Sequence, residues 1–158
     1  MIILHPEIAS EVPVPTEPAI MDQFGRDFIP HLMLTRLGQP VLFKNSEDDL
    51  HTVHVSDENG HSLFNVAMPI RGGRHNYMFT EAGDYVISCD VHQEMSATIL
   101  VLTTPYSAIA DRSGIFSIPN VATGRYTLVL RRGEQRHEEP IKIAADQEEL
   151  VLDFPTGS

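Results

Sequence analysis

Residues 89–95 read CDVHQEM and hold the chain's only cysteine, Cys89, followed at three-residue steps by His92 and Met95. A thiolate, an imidazole and a thioether make a donor set suited to copper in either redox state. Zinc rarely takes methionine, and calcium prefers oxygen. One more imidazole would complete such a site, and residues 43–55, FKNSEDDLHTVHV, offer His51 and His54. These two are three apart, so in an extended strand they point to opposite faces and only one can approach a given ion. The pleat alone does not choose between them. A lone cysteine at a strand end is ordinarily a small buried hydrophobe; the His, Cys, His, Met order is what points to metal. For Met95 the other role is that of a core methionine, with Glu94 or a backbone oxygen as the axial neighbour.

The elements that must position these side chains are short strands. HLMLTRLG, PVLFKN, HTVHVS, HNYMFT, DYVISC and ATILVL are rich in β-branched, aromatic and leucine residues and are separated by Gly, Pro, Asn or Asp. DYVISC delivers Cys89 at its tip and ATILVL resumes just after Met95, so DVHQEM is a tight loop from which three side chains can converge. Residues 7–20 are rich in proline and show no useful period, which reads as an extended connector. After TTPYS a second series follows: SAIAD, IFSIPNV, RYTLVLRR, PIKIAA and ELVLDF. These five strands predict a second small antiparallel sandwich. About fifty residues make a thin core, and the opening run Ile2, Ile3, Leu4 is expected to add a strand over residues 1–6. The expected organisation is a first domain at 21–103, a connector at 7–20, and a second domain at 104–158 completed by 1–6.

The chain has 158 residues, with 22 acidic against 11 basic and a formal charge of −11. That balance argues against nucleic acid, whose phosphates need a basic footprint, and suits a basic partner. The acidic run Glu47, Asp48, Asp49 lies beside His51, where it is expected to steer such a partner. No stretch is long and apolar enough to predict membrane insertion, and the N-terminus lacks the layout of a signal peptide. A single cysteine excludes an internal disulfide. His5, His31, His61, His75 and His137 are not paired at ligand intervals, and Met33, Met68 and Met78 stand singly.

Asn45, His51 and Val53, followed by Gly83, Tyr85, Cys89, His92 and Met95, form the string N-x5-H-x-V … G-x-Y-x3-C-x2-H-x2-M. This string resembles the cupredoxins, the type 1 blue copper proteins; its two-residue spacings between ligands are similar to those of amicyanin. MDQFGRDFIPH, residues 21–31, resembles the start of bacterial plastocyanin-like proteins of the methylamine-utilisation-like group. The resemblance spans residues 21–103 and implies an all-β Greek-key cupredoxin β-sandwich. It implies one copper ion cycling between Cu(I) and Cu(II), with His51, Cys89 and His92 as ligands and Met95 as the weak axial ligand. The family has Asn after its first histidine, tying the two ligand loops together; here Thr52 stands there, and its hydroxyl can make part of that contact. Asn45 is expected to brace the loop. ADRSGIFSIPNVATGRYTLVL, residues 110–130, resembles the latter half of carboxypeptidase-regulatory-like repeats and implies a supporting β module.

What the resemblance implies for function is single-electron transport between redox proteins, such as a cytochrome or a dehydrogenase docking near His92. A periplasmic or otherwise exported location goes with it, any export signal lying upstream of the residues given. The alternative is a copper chaperone or sensor module without electron-transfer turnover. An enzyme is not expected, because copper oxidases and nitrite reductases need further histidine pairs.

Overall fold

The structure is a computed structural model that describes residues 1–9, 11–133 and 135–145. Strand β1 (Ile2–Pro6) is followed by β2 (Ala19–Gln23), β3 (Phe28–Ile29), β4 (Leu32–Arg36), β5 (Pro40–Asn45), β6 (His51–Asp57) and β7 (Ser62–Met68). The rest are β8 (Arg74–Met78), β9 (Gly83–Ser88), β10 (Ser96–Leu102), β11 (Ser107–Ala108), β12 (Gly124–Arg132) and β13 (Gln135–Ile143). No helix long and apolar enough to cross a membrane occurs among the described residues. Two compact units emerge: Pro13–Thr103, and Met1–Val12 joined with the chain from Thr104 on.

The larger unit holds two sheets, ordered β4-β10-β9-β6-β7 and β3-β2-β5-β8. β10 with β4 and β2 with β5 are parallel; the other ladders are antiparallel. Period-two burial explains why the sheets face each other. Along β6, His51, Val53 and Val55 are buried while Thr52 and His54 are not, and along β9 Tyr85 and Ile87 point inward. They meet Met21, Val41 and Phe43 of the opposite sheet in one core that also takes in Cys89 and Met95. The result is a Greek-key β-sandwich whose inward row on β9 runs on into the thiol.

The segment predicted as a connector divides between the units, and Ala19 and Ile20 are already strand, pairing with Val41 and Leu42. Strand β7 has no counterpart among the predicted strands. It lies at the edge of its sheet with only Met68 fully buried, so its apolar alternation is weak and its register comes from pairing with β6.

In the smaller unit β1 lies inside a four-stranded antiparallel sheet, β11-β1-β12-β13, pairing Ile2 with Leu130 and Leu4 with Leu128. Ile2, Leu4, Tyr106, Tyr126, Leu128 and Leu130 make its core. IFSIPNV is not a strand. The Asp111 carboxylate accepts the N–H groups of Ser113 and Ile115 at 2.8 and 2.9 Å, and Asn120 at φ 57 turns the chain again after Pro119. Phe116, Ile118 and Val121 still pack on the core, as coil covering a sheet. The predicted strand ELVLDF lies outside the described residues.

Phe43 is fully buried between the two sheets of the larger unit, whereas Ile115 is 70% exposed. Phe43→Ala is expected to cost about 3–5 kcal/mol, and Ile115→Ala no more than about 0.5 kcal/mol. Urea midpoints of the two variants, followed by far-ultraviolet circular dichroism, check this difference.

Candidate metal centre

At one end of the larger unit, β6 begins with His51 and β9 hands over to Cys89. The loop after Cys89 is short because Met95 N–H donates to the His92 carbonyl at 3.0 Å and Cys89 N–H to the Met95 carbonyl at 3.3 Å. This turn swings His92 back over Cys89. His51 Nδ1 lies 3.1 Å from His92 Nδ1 and 4.0 Å from Cys89 Sγ, and His92 Nδ1 lies 3.8 Å from the same sulfur. A point in the plane of these three atoms stands about 2 Å from each, the length of a bond from a first-row metal to nitrogen or thiolate. The three residues thus fit a trigonal cation site made of two imidazole nitrogens and one sulfur. Both nitrogens are Nδ1, so the chain's own contacts must leave those lone pairs free.

Glu47 does so for His51. Its carboxylate meets His51 Nε2 at 2.7 Å, which assigns the ring proton to Nε2 and turns the Nδ1 lone pair toward Cys89. Glu47 is itself fixed by the N–H groups of Gly25 and Arg26, at 2.9 and 3.0 Å. Gly25 and Arg26 both have positive φ, 68 and 56°, an arrangement that aims successive N–H groups at one anion. The hydrogen bond from Arg26 N–H, then those from Gly25 and His51, hold the Glu47 carboxyl below its ordinary range against the opposing effect of burial. In the sequence, the four-residue spacing of Glu47 and His51 is the one hint of this pair.

Asn45, 1% exposed, braces the same loop. Its side-chain amide donates to the carbonyls of Asp49 and Met68 at 2.9 and 3.0 Å and accepts Glu47 N–H at 2.9 Å. Thr52 joins the two ligand-bearing segments: its N–H points at Cys89 Sγ at 3.4 Å, and its hydroxyl accepts Asp90 N–H at 2.7 Å. A threonine can therefore link the two loops. Met95 is fully buried in the core that contains Cys89.

The sheet decides between the two upstream histidines. His51 is 0% exposed and faces the cluster, while His54 faces outward to Asp90 Oδ1 at 3.3 Å and Ser62 Oγ at 3.0 Å. The acidic run is solvated beside His51, as expected, but its charge is partly offset. Glu47 is engaged as described, Asp48 pairs with Arg71 at 3.3 Å and Asp49 with Arg26 at 3.2 Å. Two arginines brought in from other loops offset the charge that the sequence places there, which a reading of the run by itself does not include.

No protein-family model matches the chain, and no curated protein matches it. Among solved structures, a reduced variant of amicyanin aligns with a TM-score of 0.50 and 23% identity, over 64% of this chain and 98% of that one. Amicyanin from Paracoccus versutus aligns with the same score at 20% identity, over 64% and 97%. The matched share is larger than the smaller unit, so it extends into the two-sheet sandwich. At this level of identity the likeness is one of fold, and the fold is that of the cupredoxins.

Proposed function

We propose that residues 13–103 hold one copper ion between His51 Nδ1, Cys89 Sγ and His92 Nδ1, with Met95 as the weak axial ligand, and carry single electrons by Cu(I)/Cu(II) cycling. The observation behind this reading is the trigonal spacing of the three donor atoms at a buried end of a rigid sandwich. Two imidazoles and a thiolate in a plane lie between the geometries preferred by Cu(I) and Cu(II), so little need move when the charge changes. His51, Cys89 and Met95 are buried, whereas His92 is partly exposed, which makes His92 the port for electrons. A chaperone that hands over its ion would be served by further ligands beside the site. Among the described residues no second His, Cys or carboxylate group gathers in the same way.

Partner docking follows from what surrounds the port. Phe24, Leu50, Ile70 and Val91 are 55, 47, 65 and 46% exposed, and each sits on a connection at the ligand end of the sandwich. Four exposed apolar side chains at that end suit a redox protein with an apolar face. With Asp48 and Asp49 paired to arginines, this docking depends less on salt than the net charge suggests. An exported location accords with such a carrier and is part of the same reading.

Copper(II)-loaded protein is expected to show an intense visible thiolate-to-copper absorption, lost in Cys89→Ser. A colourless complex with an ordinary tetragonal paramagnetic resonance spectrum would refute the assignment. Met95→Leu should keep the colour and raise the reduction potential, because loss of a donor penalises Cu(II) more than Cu(I); an unchanged potential would make Met95 a core residue only. Val91→Asp and Ile70→Asp should slow electron exchange with a c-type cytochrome at unchanged potential, as stopped-flow rates can test.

A further inference from the structure

Gln23 ends β2 on the sheet opposite to the one that carries His51 and Cys89, and its side chain is 0% exposed. Its Nε2 donates to the Thr52 carbonyl at 2.9 Å, crossing the sandwich to reach a residue that hydrogen-bonds both Cys89 and Asp90. Its other amide atom, Oε1, meets no protein donor among the described residues. A buried amide with one acceptor unmet by protein is a costly way to fill space that a methionine fills with no polar atom. The single bond to Thr52 is therefore the feature that sets glutamine apart from an apolar residue here.

Three bonds meet at Thr52: Gln23 Nε2 to its carbonyl, its own N–H to Cys89 Sγ at 3.4 Å, and Asp90 N–H to its hydroxyl at 2.7 Å. The ladder with β7, where Thr52 pairs with Ala67, already fixes the strand; the Gln23 bond adds a second hold on the Thr52 carbonyl, and with it on the line along which the Thr52 N–H meets the sulfur. We infer that Gln23 is a positioning residue for the Cys89 thiolate, acting through Thr52 to hold the N–H···S hydrogen bond. The inference rests on the copper reading for its effect on potential and spectrum, and is independent of it for its effect on the bare thiol. A hydrogen bond to the thiolate draws electron density from sulfur and weakens its donation to Cu(II) more than to Cu(I). Loosening it favours Cu(II).

The test uses the full chain with Gln23→Met, which keeps the size and removes the donor, beside Val41→Ala, a core change in the same sheet whose strand partner is Ala19, at the far end of β2 from Gln23. In the copper protein Gln23→Met is expected to lower the reduction potential and shift the thiolate-to-copper band, with neither change in Val41→Ala. In the metal-free protein the rate at which Cys89 reacts with a disulfide reagent should change several-fold in Gln23→Met, relative to both wild type and Val41→Ala. A lower melting temperature with potential, band and thiol rate unchanged would make Gln23 a structural strut and overturn the inference. If wild type gave no such band, the copper carrier would fall while the metal-free thiol rates still decided the role of Gln23. Should Gln23→Met not fold, Gln23→Asn, which keeps the amide but withdraws it by one methylene, takes its place with the same readouts.

Discussion

The N–H of Thr52 pointing at the Cys89 sulfur, with Asp90 N–H returning to the Thr52 hydroxyl, joins two stretches of chain 37 and 38 residues apart. Thr52 is paired with Ala67 in the β6–β7 ladder, whereas Cys89 and Asp90 lie just past Ser88, where β9 ends. Strand ends fray unless side chains or loops satisfy their free backbone groups. Here the end of β9 is completed by Thr52 of β6, and His51, Cys89 and His92 gather where that completion occurs. Asn45 and Glu47 extend the same principle upstream, turning the loop before β6 into a frame for the His51 ring. The centre is therefore a property of hydrogen bonds between loops, with the sandwich core supplying a fixed base beneath them.

Much of this is legible in the sequence because two periodicities coincide with chemistry. The alternation in HTVHVS and DYVISC marks strands with one covered face, and the Cys-x2-His-x2-Met spacing fits a single tight loop. The choice of His51 over His54 is not legible from the pleat, because alternation says that the two faces differ but not which one meets the other sheet. Glu47 and Gln23 escape notice for a different reason. Glu47 looks like one of three solvated acids until Gly25 and Arg26 come within 3.0 Å of it, and Gln23 lies 29 residues from the carbonyl it holds. Long-range polar contacts leave no local pattern. Strand β7 is hidden by its lack of burial, and IFSIPNV reads as a strand because its apolar residues pack as strand residues do while its backbone follows turns.

The smaller unit gives the D-x-x-G turn a physical meaning. Asp111 accepts two N–H groups, Gly114 N–H returns to the Asp111 carbonyl at 3.0 Å, and Asp111 N–H closes the loop on Ile115 at 2.8 Å. Gly114 has φ 82, a conformation an L side chain resists. Farther on, Tyr126 anchors the chain by donating its hydroxyl to the Ala122 carbonyl at 2.6 Å. The motif thus covers one face of the sheet with coil.

At the metal centre the distribution of burial constrains what the site can do. His51 and Met95 are fully enclosed, Cys89 is 3% exposed, and only His92 reaches the surface in part. His51 is oriented by Glu47 and Cys89 by Thr52, so an ion held there meets donors whose directions the protein has already set. A ligand set that cannot rearrange favours reactions in which only an electron moves, since substrate chemistry at the metal needs an open position and a path to it. Enclosure on three sides and a single partly exposed imidazole are what the one-electron exchange proposed at the His92 edge requires.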